Sequence, residues 1–257
     1  MRVATWNVNS VRLRLPRVKA WIERRKPDVL CLQETKVVDE DFPAAEFEAL
    51  GYRCEVYGQK SYNGVAILSR APLADVARGF PDDPPDAHRR LIAGTVEGTR
   101  VVCVYVPNGE SPESDKFVFK QDWLRRLDEW LRAASSPRAP LLLLGDFNIA
   151  PEDRDVHDPD LWRGHVLFHP KEHQALGKIT GFGLEDVFRK HHAEGGLFSW
   201  WDYRMLAFPK DHGLRIDLIL ATEPLLARST ACAMDRDERK GEKPSDHVPV
   251  FADFEPA

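Results

Sequence analysis

Four polar residues, Glu34, Asp146, Asp217 and His247, stand where the sequence otherwise prefers apolar ones. Glu34 follows the apolar run DVLCLQ, and a carboxylate buried at a strand end is costly unless it is paired. A hard cation such as Mg²⁺ is one such partner, since it takes one or two carboxylates together with substrate phosphate and water; an arginine is another. In GDFN, Asp146 and Asn148 lie on one face if the strand continues. There an acid beside an amide could orient water and hold a phosphoryl oxygen, although GDFN alone could equally be a turn. Asp217 interrupts LRIDLILA on the face opposite Ile216 and Leu218, and an inward carboxylate in mid-strand calls for a dedicated donor. SDHVP offers one in His247, directly after Asp246, itself a candidate metal ligand. A histidine held by an aspartate is fixed in tautomer and stabilised as an imidazolium beside a phosphate; on spacing alone, His247 could instead cap the last strand.

The elements that must carry these residues show one recurring pattern, in which an apolar run reads as a buried strand and stops at a polar residue. VATWNV precedes Asn9, DVLCLQ precedes Glu34, RVVCVYV precedes Pro107 and Asn108, and LLLLGD reaches Asp146. Near-continuous apolar runs suit sheets covered on both faces. LPRVKAWIERRK reads as a helix begun by Pro16 and ended before Pro27, and a second helix runs from about Lys116 to Ala134 with Trp123, Leu124, Leu127, Trp130 and Leu131 at helical spacing. YNGVAILS, LIAGTVEG and TRVVCVYV read as consecutive antiparallel strands, the last two joined at Gly98. Further on come a helix around LEDVFRKHH and strands at FSWWDYR, LRIDLILAT and HVPVFADF, with an ordered surface loop from Pro151 to Pro170. No short-period repeat, low-complexity stretch or Pro/Gly/Ser linker divides the chain. The expectation is one α/β domain over residues 1–257, two packed mixed sheets flanked by helices.

Composition bounds the function. At 257 residues with 43% hydrophobic and 30% charged side chains, the chain can bury a sizeable core. It has no apolar leader-like run and no stretch long enough to span a bilayer, so a cytoplasmic protein without a membrane partner is expected. The cysteines Cys31, Cys54, Cys103 and Cys232 form no CxxC pair and read as reduced structural thiols, not a zinc site. A formal net charge of -5 argues against a nucleic-acid partner, but distribution matters more. Arg12, Arg14, Arg17 and Lys19 cluster early, and Arg204, Lys210 and Arg215 cluster late.

Together the motifs resemble the exonuclease III family of abasic-site endonucleases, within the endonuclease/exonuclease/phosphatase superfamily. The resemblance spans nearly the whole chain in order: TWNVNS (5–10), LQETK (32–36), YVPNG (105–109), GDFNIAP (145–151), DVHDP (155–159), SWWDYR (199–204), GLRIDLIL (213–220) and SDHVPV (245–250). Each motif is weak alone; GDFN and SDH also match sphingomyelinases, inositol phosphatases and DNase I relatives, whereas SWWDYR followed by GLRID points to the DNA-repair branch.

The resemblance implies a DNase I-like four-layer sandwich. It also implies Mg²⁺-dependent hydrolysis, with Mn²⁺ as a substitute, of the phosphodiester 5′ to abasic sites in duplex DNA. Exonuclease activity in the 3′ to 5′ direction and 3′-phosphatase activity on blocked ends would accompany it, in a monomer. On matching positions, Glu34 would be the main metal ligand, with Asn7, Asn9 and Asp246 nearby and Asp146, Asn148 and His247 bordering the metal. Asp146 would orient or deprotonate the attacking water. Tyr105, Asn148 and His247 would contact the scissile phosphate, and Asp217 would fix His247. Trp200, Leu214 and Ile216 would line an apolar pocket for the abasic sugar, with Arg204 as a wedge into the DNA stack. Asp211 would add negative charge where DNA approaches. Two other classes stand beside this reading: a sibling phosphodiesterase or phosphatase acting on a small-molecule or lipid phosphate, and a binding module without catalysis.

Overall fold

The computed structural model describes residues 1–256. Twelve strands run in chain order: β1 (Arg2–Asn7), β2 (Val29–Gln33), β3 (Arg53–Tyr57), β4 (Val65–Ser69), β5 (Ala74–Arg78), β6 (Leu91–Val96), β7 (Thr99–Tyr105), β8 (Leu141–Asp146), β9 (Leu184–Asp186), β10 (Asp217–Thr222), β11 (Ser229–Met234) and β12 (Val250–Phe254). Between them lie α1 (Val11–Arg25), α2 (Ala44–Glu48), α3 (Asp115–Ala134), α4 (Pro159–Trp162), α5 (Pro170–Thr180), α6 (Val187–His191) and α7 (Glu223–Leu226). One six-stranded sheet has the order β11-β12-β1-β2-β4-β3, the other β5-β6-β7-β8-β10-β9. In each, one parallel pair sits among antiparallel neighbours: β1 with β2, and β7 with β8.

The strands are short apolar runs because each face of each sheet is covered. Val3, Cys31 and Ile67 of the first sheet meet Val101, Cys103, Leu142 and Ile219 of the second in an inter-sheet core. On the outer face of the first sheet, Ala4, Trp6, Leu30 and Leu68 pack on Val18, Trp21 and Ile22 of α1. On the outer face of the second, Val102, Leu143 and Leu218 pack on Trp123, Leu127 and Leu131 of α3 and Ile179 of α5. The four-layer α/β sandwich expected from the sequence is what forms.

Several local expectations change. The first helix begins at Val11, not Pro16, because the Ser10 side chain accepts the Leu13 N–H and caps it. Pro16 lies inside this helix, where it supplies no intrahelical N–H donor. The strand β4 does not neighbour β6; it joins β2 and β3 in the other sheet, and β5 intervenes in sequence. FSWWDYR is not a strand. Trp200 makes only isolated bridges, to Leu214 and His247, and the Asp202 side chain then accepts the Arg204 N–H, which turns the chain. The 151–170 segment carries the short helix α4. Among the described residues, no helix is long and apolar enough to cross a membrane, and all four cysteines are free.

Candidate active site

Period-two alternation decides which side chains reach the end of the inter-sheet core. In β8, Leu142 and Leu144 face the other sheet while Leu141 and Leu143 face the helices, so Asp146 continues the inter-sheet row. In β10 the same row is Asp217, Ile219 and Ala221; in β7 it is Val101, Cys103 and Tyr105; in β1 it begins at Val3 and ends at Asn7. The registers align these ends, with Asp146 opposite Tyr105 on one side and Asp217 on the other. Close approach of β7 and β8 requires Gly145, whose φ is 151° and whose added Cβ would lie 1.9 Å from the Val104 carbonyl oxygen.

Beyond β1 and β2 the two chains stay hydrogen-bonded. Val8 N–H donates to Gln33 O (3.0 Å) and Ser10 N–H to Glu34 O (2.8 Å), which holds Glu34 beside Asn7 and Asn9. The SDH segment is tied over the same strand end. Ser245 Oγ donates to Asn7 O (2.7 Å), and Trp6 Nε1 donates to His247 O (3.1 Å).

One network results. Asn7 Nδ2 donates to Glu34 Oε1 (2.8 Å) and to Asp146 Oδ2 (2.9 Å), bridging the two carboxylates. Asn9 Nδ2 donates to Asp246 Oδ1 (3.0 Å), and Trp200 Nε1 donates to Asp246 Oδ2 (3.1 Å). His247 Nδ1 lies 2.8 Å from Asp217 Oδ2, and its Nε2 lies 3.6 Å from Asp146 Oδ2. Asp217 Oδ2 also accepts from Ser199 Oγ at 2.6 Å. Asn148 N–H donates to Asp146 Oδ1 (2.9 Å), while its side chain is held between Asn108 (3.2 Å) and Val106 O (2.9 Å).

Burial and neighbours set the charge states. Burial works to lower the His247 pKa, but Asp217 and Asp146 reverse this and raise it to about 10, so the imidazole is a cation at neutral pH. Burial is also the leading influence on Asp146 and raises it to about 7, against His247 and Asn7. At Glu34 burial is outweighed by Lys36, Asn7 and His247, and at Asp246 by His247, Asn9 and Trp200; both lie below the ordinary carboxylate range. Burial and the Glu34 charge push the Tyr105 phenol up, keeping it a proton donor.

Donor atoms of Asp146, Asp217 and His247 converge within 4.8 Å, but Asp217 and the protonated His247 are committed to one another. Glu34, Asn7, Asn9 and Asp246 offer oxygens of the hard type that a divalent cation takes. The Lys36 ammonium already lies 2.7 Å from Glu34 Oε2 and 2.6 Å from Asn9 Oδ1, so positive charge is accommodated there.

Every sequence-derived site residue except Arg204 belongs to this neighbourhood. Arg204 stands off, its side chain 84% exposed and paired with Asp202 at 2.7 Å. Trp200, Leu214 and Ile216 share one apolar cluster with Leu167 and Phe168, while Trp201 points the other way into a separate buried cluster. Asp211 is not a free charge: it accepts from Trp201 Nε1 and pairs with Arg236, both at 3.0 Å. Arg215 leaves the late basic cluster, being buried between Asp155 and Asp186, and Arg14 leaves the early one to clamp Asn9 O and Pro244 O. Lys36, although inside LQETK, and Ser199 carry no role in the sequence reading. Arg90 is also new; its guanidinium stacks 4.5 Å from the Tyr105 ring centroid and nothing in the sequence around it marks it.

Residues 4–247 match the Endonuclease/Exonuclease/phosphatase family. Exodeoxyribonuclease III of Haemophilus influenzae is 38% identical over 266 residues, covering 99% of this chain and 100% of that protein. The 3′ phosphatase NExo from Neisseria, solved bound to a product DNA hairpin, superposes with a TM-score of 0.96 at 43% identity, covering 99% of both chains. An AP endonuclease from Archaeoglobus fulgidus also gives a TM-score of 0.96, at 41% identity and 100% coverage of both. With the carboxylates, the imidazolium and both sheets in the arrangement described, the chain belongs to the endonuclease/exonuclease/phosphatase family, in its exodeoxyribonuclease III group of hydrolytic nucleases.

Proposed function

We propose that the chain hydrolyses phosphodiesters in duplex DNA at abasic sites, on their 5′ side, and processes 3′ ends as a 3′–5′ exonuclease and 3′-phosphatase. It does so as a magnesium-dependent monomer acting on cytoplasmic DNA. The observation that carries this reading is the buried Asp146 carboxylate set 3.6 Å from Nε2 of the buried His247, whose Nδ1 lies 2.8 Å from Asp217. A base with a pKa near 7 is matched to deprotonating or orienting water. Asn7 and the Asn148 N–H fix its two oxygens.

In this account water attacks phosphorus as Asp146 receives its proton, and the bond from phosphorus to the leaving oxygen breaks. His247, held by Asp217 at Nδ1, presents Nε2–H to a phosphoryl oxygen, and the Tyr105 hydroxyl and Asn148 amide add neutral donors to the same phosphate. A bound Mg²⁺, held by Glu34 with Asn7, Asn9 and Asp246 beside it, would supply charge stabilisation on the phosphate and leaving oxygen. Trp200, tied to Asp246, would border the sugar, and Arg204 on its exposed turn would reach the DNA stack.

One observation favours 3′-end processing as the stronger activity. Leu214 and Ile216 are 0% and 1% exposed, packed under Leu167 and Phe168. Two of the three residues that would border an abasic sugar are thus covered by other side chains, and a terminal 3′-phosphate needs no such wall. The test is Mg²⁺-dependent turnover on two labelled duplexes, one abasic and one ending in a 3′-phosphate, with inositol phosphates and sphingomyelin as competitors. Turnover of both duplexes, faster on the 3′-phosphate and unaffected by the competitors, is expected. Preference for a competitor would assign the site to a small-molecule or lipid phosphate instead.

A further inference from the structure

Behind Asn148, the side chain of Lys120 on α3 is fully buried, in a part of the molecule that the reaction does not touch directly. Its Nζ donates to Asn108 O (3.0 Å), to Asn148 O (2.7 Å) and to Glu172 Oε1. An ammonium has three donors and no acceptor, so all are committed and none remains for a substrate. Asn108 and Asn148 also meet through their side chains, Asn108 Nδ2 donating to Asn148 Oδ1 at 3.2 Å. Asn148 holds a left-handed φ of 48°, a conformation that asparagine adopts more readily than most residues other than glycine, and the Lys120 Nζ bond fixes its carbonyl. Glu172, on the other side, accepts the Leu167 N–H (3.3 Å) and the His169 N–H (3.0 Å), and Leu167 O accepts the Ala150 N–H (2.8 Å).

Resting on the nuclease reading above, we propose that Lys120 is a positioning residue for Asn148. Through Glu172 it joins the phosphate-side asparagines and the Leu167–Phe168 cover of the apolar wall into one unit. A buried ion pair contributes little net stability compared with apolar residues of similar volume. What the pair adds here is direction, since one fixed ammonium sets two loop carbonyls and one carboxylate. Burial works to lower the Lys120 pKa, with Glu172 and Asp146 opposing it.

The experiment replaces both charges together, as Lys120→Met/Glu172→Gln, so that no unpaired charge is left inside; Lys120→Met/Glu172→Met is the second version should the first not fold. With a 3′-phosphate duplex and Mg²⁺, kcat falls by about 10-fold or more while KM stays within about 3-fold. In an Asn148→Ala background the same replacement causes no further loss, because residues acting as one unit are non-additive. Independent losses that multiply, or an unchanged kcat in a folded variant, would overturn the proposal. Side-chain amide resonances of ¹⁵N-labelled protein give a readout without turnover. Those of Asn108 and Asn148 shift and lose exchange protection in the variant while Asn7 stays fixed, and unchanged Asn108 and Asn148 signals contradict the proposal. If the wild type were inert on DNA, the nuclease reading would fall, and the amide signals would still decide the role of Lys120.

Discussion

Asn7 is the residue on which the two carboxylates depend, since its amide donates to Glu34 and Asp146 at once. Hydrogen bonds to charged groups are worth about 1.5–3 kcal/mol each. Asn7→Ala should therefore lower kcat/KM by about 10- to 100-fold and weaken Mg²⁺ binding measured by calorimetry; an unchanged metal affinity would remove Asn7 from the metal cradle. His247 yields a pH prediction. Its folded pKa of about 10 exceeds the ordinary 6.5, so its stabilising contribution is complete below pH 6.5 and is lost as pH rises through the folded value. The unfolding midpoint of metal-free protein should decline across that window. Asp217→Asn removes the largest charge that raises this pKa and should flatten the decline; an identical profile in the variant would deny the pairing its role. Glu34, Asp146, Asp217 and His247 were legible in the sequence because polar residues at the ends of apolar runs are conspicuous. Asn7, Asn9 and Tyr105 came only from family resemblance, since asparagine and tyrosine are ordinary at strand ends. Lys36, Arg90 and Lys120 acquire meaning only from the partners that the fold brings to them.

At the scale of elements, the site is the polar end of the inter-sheet row, and the strands keep it in register. Gly145 is the point where this is most constrained: a Cβ there would lie 1.9 Å from Val104 O. Gly145→Ala should cost about 1–3 kcal/mol in chemical denaturation and reduce activity more than that loss of folded protein explains, because Asp146 is the next residue. A variant with wild-type stability and turnover would show that β7 and β8 tolerate separation. The strands β1, β2, β4, β6, β7, β8, β10 and β12 and the helix α3 were readable from their apolar runs, with α3 starting at Asp115 against an expected Lys116; the edge strands β3, β5, β9 and β11 were not, and LED, expected in a helix, forms β9. The start of α1 was not, because Pro16 is a strong local signal and the Ser10 cap a weak one. The expected FSWWDYR strand failed for a different reason. Strand alternation would itself send Trp200 and Trp201 to opposite clusters, but the Asp202 side chain accepts the Arg204 N–H and turns the chain, so pairing stops at isolated bridges.

At the scale of the molecule, the first sheet supplies Asn7 and, through the loops beyond its strands, Asn9, Glu34, Asp246 and His247, while the second supplies Tyr105, Asp146 and Asp217. Catalysis therefore requires both sheets docked. The net charge of -5 would leave DNA binding to a few local basic side chains, so the affinity should fall with salt only as steeply as a small number of phosphate contacts allows. Binding and turnover should separate, since a bound metal would supply charge stabilisation on the phosphate while the protein's own donors would hold it. The most direct measurement is cleavage and binding of one labelled 3′-phosphate duplex and one labelled abasic duplex, by the wild type, Asp146→Asn and His247→Ala, with Mg²⁺ and with EDTA. Turnover by the wild type with Mg²⁺ is expected, with loss by about 10³-fold or more in both variants and in EDTA, and DNA binding retained in EDTA. Equal turnover in EDTA, or an Asp146→Asn variant as active as the wild type, would contradict the proposed mechanism.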